Sequence, residues 1–406
     1  MRVLAYIIFA MPLLVYLMIS SGALMARLFI KTTFIQKNYN FQPSVSVLMP
    51  CFNEGAQVLN TIKSIIENDY PSDKIEVVAV DDCSADDTYQ WIQKAAEKWP
   101  NVRVFKNAVN LGKHNTLTYA LGYSSGEIII CIDSDTIFDK NVIKELTACY
   151  VDESIGAVGG RVGVSNPRDN VYTQAQTFLY YFGFQITKML QNCLRNATII
   201  SGALFSVRRK HFEAIQEQVK QRNWLGIHVR EGEDRYMTHL LLLKGLKTYI
   251  NIDAECWTTV PNNFKQLFMQ QLRWRRGTLR DFFWTLHFLY KNLKMLHPIT
   301  IATIIMPCVI TLQWPIVFLG SLVFSPNIES MFLTFVIYWC LNITICSIMM
   351  LYAHKYSPEQ KINPLLASAM VLWFIVDCFM TVLAVCTFDN GTWGTRGAAA
   401  SSQASS

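Results

Sequence analysis

Short apolar runs and amphipathic stretches alternate along residues 44–135. Runs rich in Val and Ile at 44–49, 75–81, 102–105 and 127–132 predict strands, and the stretches at 57–68, 86–98 and 113–123 predict helices between them. Such alternation folds as a mainly parallel sheet covered by helices on both faces. Ligands bind these sheets outside the carboxyl ends of the strands. Here those ends carry Asn53-Glu54, Asp81-Asp82 and Asp133-Ser134-Asp135, so three polar clusters are expected to line one crevice.

The rest of the chain follows a different pattern. Residues 3–30 carry only Arg27 as a charge, and 299–324 and 331–353 carry none. Each run is long enough to cross a hydrocarbon core of about 30 Å. A buried core helix seldom stays free of charge for more than about eighteen residues. The first run has a rival reading as a cleaved signal peptide, with Ala23-Leu24-Met25-Ala26 as the small-residue site, but it is longer than a usual h-region of about 7–15 residues. Residues 365–388 follow Pro364 and contain Asp377. A central aspartate costs about 2.5–3.5 kcal/mol on insertion scales, which favours an interfacial or re-entrant path over a full crossing. Between 278 and 297, Arg280, His287, Lys291 and Lys294 share one helical face; Leu279, Phe282, Phe283, Leu286, Tyr290 and Leu293 share the other. This predicts a helix lying in the headgroup plane, the alternative being a surface helix of a soluble domain. Lys31, Lys37, Lys291, Lys294 and His354-Lys355 read as positive-inside markers that place 31–297 in the cytoplasm.

Composition narrows the picture further. The 406 residues are 51% apolar, too many for an ordinary soluble protein. The net charge of +6 comes without a Lys/Arg block or an RNA-binding signature, which argues against a nucleic-acid partner. Eleven cysteines without CxxC or Cys/His ligand spacing read as reduced, mostly buried thiols. Two aspartates one residue apart after the apolar run 128–132 can hold Mg²⁺ or Mn²⁺ against a diphosphate, because such ions take one or two carboxylates plus phosphate oxygens. No glycine stands five positions before Gly112 and no GxGxxG is present, which disfavours an NTPase or a dinucleotide dehydrogenase.

Asp81-Asp82, Asp133-Ser134-Asp135, Gly232-Glu233-Asp234-Arg235 and Gln270-Gln271-Leu272-Arg273-Trp274 follow in that order. The set, spread over residues 43–396, resembles the processive β-glycosyltransferases of family 2, the membrane synthases of cellulose, chitin and hyaluronan. The resemblance implies an α/β GT-A domain joined to an α-helical transmembrane region with interfacial helices. The expected organisation is a span at 1–31, the cytosolic catalytic domain at 43–277, the interfacial helix at 278–297 and two spans within 299–353. An interfacial, re-entrant or transmembrane helix at 364–388, a segment at 389–397 and a disordered tail at 398–406 complete it.

Residue roles follow from the same resemblance. Asn53, Glu54 and Asp82 are implied to contact the nucleoside; Lys113 and Asp133 serve the sugar diphosphate, and Asp135 the metal. Asp234 is implied as the base that takes the acceptor proton, so attack opposite the leaving group inverts the anomeric carbon. The plain alternative for Glu233-Asp234 is a pair of solvated carboxylates at a helix N-terminus. Ser201 and Gly202 match an acceptor-site turn, with Ala203 where hyaluronan synthases commonly have proline. Gln270 and Trp274 border the acceptor, and Arg273 suits a diphosphate, although Trp274 also reads as an interfacial anchor. Arg396, in Trp393-Gly394-Thr395-Arg396, is implied to approach the diphosphate; the alternative is a snorkelling anchor.

The expected activity is polymerisation of a β-linked, N-acetylglucosamine-containing glycan from UDP-sugars at the plasma membrane. The partners are UDP-N-acetylglucosamine, with UDP-glucuronic acid in a hyaluronan-like reaction, the growing glycan and the bilayer. A chitin, chitooligosaccharide or poly-N-acetylglucosamine product from one donor is the runner-up, followed by a single transfer to a lipid phosphate and, in another class, a silent membrane scaffold. A uronic-acid donor calls for a cation near the sugar, and Arg161, Arg195, Arg208 and Arg209 are the candidates.

Overall fold

The computed structural model describes residues 36–193, 197–224, 227–228, 232–293 and 373–387, with scattered positions between 296 and 363. Thr33–Val162 and Arg195–Thr259 group into one compact unit; Gly163–Leu194 and Val260–Phe388 group into another.

The strands are β1 (Val45–Cys51), β2 (Ile75–Asp81), β3 (Val102–Lys106), β4 (Ile128–Ile132), β5 (Ile137–Phe138), β6 (Ile155–Val164), β7 (Leu204–Arg208), β8 (Asn223–Trp224), β9 (Ile227–His228) and β10 (Lys247–Thr258). All but β8 and β9, which pair as a small ribbon, join one eight-stranded sheet in the order β3-β2-β1-β4-β7-β6-β10-β5. Every residue of β1 and β4 is buried, which explains their unbroken apolar sequences. The helices between them are α1 (Gln57–Ile66), α2 (Thr88–Lys98) and α3 (Lys113–Gly122). Helix α1 buries Val58, Thr61, Ile62 and Ile65, the i, i+3, i+4, i+7 stripe of a helix laid on a sheet.

The expectation of a mainly parallel sheet holds for half of it. β3, β2, β1 and β4 run parallel, but β7 is antiparallel to β4, β6 to β7, and β5 to β10. The sheet is therefore mixed. Strand β6 lies wholly buried in this second half and is rich in glycine. A Cβ on Gly159 would stand 2.4 Å from Ile200 Cγ2, and one on Gly160 would stand 2.2 Å from Leu204 Cδ2 and 2.3 Å from the Ala254 carbonyl oxygen. Close approach, rather than turn-making, requires those glycines.

Further helices, in chain order, are α4 (Val142–Ala148), α5 (Val171–Tyr180), α6 (Arg209–Lys220), α7 (Glu233–Leu243), α8 (Phe264–Asn292) and α9 (Trp373–Cys386), and a short helix also covers Lys188–Cys193. Lys37 fastens the chain as it enters the unit that begins at Thr33. Its ammonium meets Glu145 Oε2 on α4 at 2.7 Å and Asp253 Oδ2 on β10 at 2.6 Å, while the Asn38 N–H donates to the Ala148 carbonyl at 2.8 Å. Two carboxylates within the fold hold Lys37; burial lowers its pKa, but the hydrogen bonds and charges of Asp253 and Glu145 outweigh burial and keep it raised.

In the second unit, the boundary expected at residue 277 falls inside the unbroken helix α8. Gly277 is compatible with a helix interior, at a cost of about 1 kcal/mol relative to alanine. Leu267 and Leu272 of α8 form a small core with Met380 and Ala384 of α9, flanked by Tyr172, Phe268, Leu279 and Val376. Arg275 donates to Thr381 Oγ1, and Arg276 Nη2 to Thr387 Oγ1 at 2.7 Å. The amphipathic reading of 278–297 is corrected at one position: Arg280 is buried with Asp281, whereas Phe283, Leu286, Tyr290 and Leu293 are the exposed stripe. Among the described residues no helix is long and apolar enough to cross a membrane. The runs expected to span, at 3–30, 299–324 and 331–353, lie almost wholly outside the described residues, as does the segment at 389–397.

Candidate active site

Sheet register brings the carboxylates to one edge. Cys51 pairs with Asp81 across β1 and β2, and Leu48 pairs with Cys131 across β1 and β4. The loops that follow these strands therefore emerge level with one another, at the carboxyl ends where such sheets bind ligands.

Two of those loops are sewn together. The Asn53 N–H donates to Ser84 Oγ at 3.0 Å, and Asn53 Oδ1 accepts from the Ala85 N–H at 2.9 Å. The N–H groups of Glu54 and Gly55 both donate to Thr88 Oγ1 at 2.9 Å. Asn53 and Cys83 hold φ of 53° and 63°, left-handed values that a non-glycine residue adopts only when its surroundings fix them.

Asp82 turns inward. Its Oδ1 accepts from the Leu111 N–H at 2.9 Å and from Asn107 Nδ2 at 2.7 Å, and its Oδ2 accepts from the Gly112 N–H at 2.8 Å. The side chain is fully buried. Both carboxylate oxygens of Asp82 are thus engaged within the protein, where they fix the Asn107–Gly112 loop that delivers Lys113. Asp81 is equally buried, and that burial raises its pKa against hydrogen bonds from Ser84 and the charge of Lys106.

Lys113 is where the motifs meet. It is the first residue of α3, and its buried ammonium donates to Asp133 Oδ1 at 2.5 Å and to the Gly202 carbonyl at 3.2 Å, with Glu233 Oε1 at 3.3 Å. Burial alone would lower its pKa, but the charges of Asp133 and Glu233 outweigh burial and hold it above the ordinary lysine range. The Asp133 side chain keeps 41% of its surface exposed and Asp135 is half-buried, while the intervening Ser134 is buried. Thr61 Oγ1 donates to the Ser134 carbonyl at 2.8 Å and pins the turn. Among the described residues no group of three or more His, Cys, Asp or Glu could hold a metal by itself. Two accessible hard-oxygen donors one residue apart still fit an ion that completes its shell with phosphate and water.

Asp234 sits in the first turn of α7, after Gly232 in the left-handed conformation at φ 71°. Its Oδ1 accepts from the Arg235 N–H at 2.7 Å and its Oδ2 from the Gly202 N–H at 3.2 Å. Thr238 Oγ1 donates to the Asp234 carbonyl at 2.7 Å and accepts from the Ile200 N–H at 3.2 Å, tying α7 to the Ser201-Gly202 turn. Burial, and next the neighbouring charge of Glu233, raise the Asp234 pKa; Lys113 and the Arg235 N–H act the other way.

Sequence reasoning missed two members of this assembly. Glu233 stood in the Gly232-Glu233-Asp234-Arg235 motif without a role of its own, yet it is 14% exposed and paired with Lys113. Arg222 carries no motif; it donates to the Gly232 carbonyl at 3.1 Å, lies 4.7 Å from the Tyr236 ring centroid, and is lowered to about 10 by burial. Gln270, Arg273 and Trp274 belong to the second unit, on α8, where Trp274 is 42% exposed and its ring centroid lies 6.5 Å from that of Tyr180. Arg396 lies outside the described residues. Of the arginines considered for a uronic carboxylate, Arg161 pairs with Glu255, Arg208 with Glu127, and Arg209 with Glu213, while Arg195 is outside the described residues.

Residues 46–216 match the model of glycosyl transferase family 2. The chain is 27% identical over 402 residues to a hyaluronan synthase of Streptococcus pyogenes, covering 96% of this chain and 90% of that synthase. Residues 46–216 therefore carry a glycosyl transferase family 2 domain, in a chain that resembles hyaluronan synthases. It is also 27% identical over 356 residues to an N-acetylglucosaminyltransferase of Rhizobium meliloti, covering 87% of this chain and 82% of that enzyme. Among solved structures, the mannosyltransferase PcManGT from Pyrobaculum calidifontis, in complex with GDP-Man and Mn²⁺, shares the fold at a TM-score of 0.58 and 18% identity, over 92% of this chain and 99% of that one.

Proposed function

We propose that this glycosyltransferase polymerises a β-linked, N-acetylglucosamine-containing glycan from UDP-sugars at a membrane, with inversion at the anomeric carbon. The observation that carries the reading is the Asp234 carboxylate, oriented by two backbone N–H groups and joined through Gly202 and Lys113 to Asp133. Asp234 takes the proton of the acceptor hydroxyl as that oxygen bonds to the anomeric carbon; the bond from that carbon to the diphosphate oxygen breaks, and UDP leaves with the electron pair. Its raised pKa makes it a stronger proton acceptor than an ordinary aspartate. Asp133 and Asp135 hold Mg²⁺ or Mn²⁺, which supplies charge neutralisation at the departing diphosphate. Lys113 adds a fixed cation there, and Gln270, Arg273, Trp274 and Arg396 serve the acceptor end and the diphosphate.

A hyaluronan-like product is the first reading, supported by similarity to the streptococcal synthase over nearly the whole chain. A product made from UDP-N-acetylglucosamine alone is the second, supported by the N-acetylglucosaminyltransferase relative and by the carboxylate partners already held by Arg161, Arg208 and Arg209. The test is UDP release by purified protein supplied with each donor singly and together, followed by digestion of the product. A hyaluronidase-sensitive polymer requiring both donors supports the first reading. A chitinase-sensitive polymer from UDP-N-acetylglucosamine alone supports the second, and failure to release UDP from any UDP-sugar overturns both.

A further inference from the structure

An ammonium group has three N–H donors and no acceptor. Lys113 is buried; its ammonium donates to Asp133 Oδ1 at 2.5 Å and to the Gly202 carbonyl at 3.2 Å, and it forms an ion pair with Glu233 Oε1 at 3.3 Å. The shortest contact goes to one of the two carboxylates assigned to the metal. Lys113 cannot retreat into solvent, because α3 is anchored behind it by the Asp82 contacts to Leu111 and Gly112. Gly202 closes the other side: even a methyl group there would stand 2.7 Å from Nζ.

We propose that Lys113 is a built-in counter-cation of Asp133, so that a divalent metal binds this site weakly by itself and strongly only together with a nucleoside diphosphate. This deepens the proposed function and rests on its assignment of Asp133 and Asp135. A dication on Asp133 would face the lysine charge across one carboxylate; water at the exposed side of Asp133 screens part of the repulsion, and the buried ammonium of Lys113 keeps the rest. If the carboxylate turns to the metal, one N–H of Lys113 loses its acceptor, and an unpaired buried donor is costly. A diphosphate oxygen answers both problems, accepting from Lys113 and bringing negative charge between the two cations. Metal and diphosphate then favour each other's binding reciprocally.

The test is binding of Mn²⁺ to the purified full chain, followed by electron paramagnetic resonance of the free ion, with and without UDP. UDP is expected to tighten Mn²⁺ binding by about 10-fold or more, within the usual 5–150-fold range of ligand coupling. Lys113→Met is expected to bind Mn²⁺ alone about 10-fold more tightly than the parent and to lose most of the effect of UDP. Glu233→Gln leaves Asp133 as the sole carboxylate partner of Lys113 and is expected to weaken binding of Mn²⁺ alone; it decides the matter if Lys113→Met does not fold. Mn²⁺ affinity indifferent to UDP, or no tighter in a folded Lys113→Met protein, overturns the proposal. Asp135→Asn separates the two levels: if it leaves Mn²⁺ binding intact, the metal assignment itself is wrong, whereas loss of binding together with a silent Lys113→Met removes only the counter-cation.

Discussion

The backbone N–H of Gly202 donates to Oδ2 of Asp234 at 3.2 Å, across 32 residues of sequence. The carbonyl of the same glycine accepts from Lys113 at 3.2 Å. One residue in the turn before β7 therefore touches the candidate base with its donor and the buried Lys113 ammonium with its acceptor. Its lack of a side chain leaves room for Lys113: a Cβ there would stand 2.7 Å from Nζ but an ordinary 3.6 Å from Asp234 Cβ.

Asp234→Asn is expected to keep UDP-sugar binding and lose turnover by about 10²-fold or more, because only the proton acceptor is removed. Donor affinity by calorimetry together with kcat from UDP release checks this. Near-normal turnover would move the base elsewhere.

Gly202→Ala places a methyl group 2.7 Å from Lys113 Nζ. The atom met is the far end of a flexible chain, so the fold should persist, with a lowered melting temperature because the buried Lys113 ammonium is pushed from its partners. The donor KM is expected to rise by about 10-fold, the size of one lost charge-assisted contact. A folded variant with parental KM would show that Lys113 does not serve the donor.

The pH profile carries a sign. Asp234 works as a base only when ionised, and burial with the adjacent Glu233 charge raises its pKa. Activity is therefore full above that raised value and lost as pH falls through it, placing the acid limb of kcat/KM above the ordinary aspartate pKa of about 3.9. Glu233→Gln removes a like charge, so the limb should move to lower pH. A limb that stays put or moves up contradicts the assignment.

Asp82→Ala leaves the N–H groups of Leu111 and Gly112 and the Asn107 amide without their acceptor. The expected loss of stability is about 2–4 kcal/mol, from several buried donors at about 1–3 kcal/mol each with partial relaxation. Thermal or urea unfolding of the full chain measures it. If Asp82 instead contacted the nucleoside, stability would be kept and only the donor KM would rise.

The parallel half of the sheet was legible because β1, β2 and β4 are nearly unbroken runs of buried aliphatic residues, with turn-forming polar residues at their ends. Strand β6 was not, because its glycines answer to Ile200, Leu204 and Ala254, neighbours that no local pattern reveals. The same limit applies within the site. The motifs picked out Lys113, Asp133 and Asp234, but the inward turn of Asp82 depends on Asn107, Leu111 and Gly112, and the pairing of Glu233 depends on a lysine 120 residues earlier. Arg222 has no signature at all, since a lone arginine gains its role only from the Gly232 carbonyl it meets. Helix α8 runs through Gly277 because flanking residues favour a helix strongly enough to absorb one glycine.

The clasp at Lys37 has a mechanical meaning. Its two carboxylate partners lie on α4 and β10, and the next residue, Asn38, bonds to the end of α4. Tension along the chain before residue 36 is thus delivered to α4 and β10 at Lys37, eight residues ahead of the first strand. Strand β1, which sets the level of Asn53 against Asp81, is shielded from that pull.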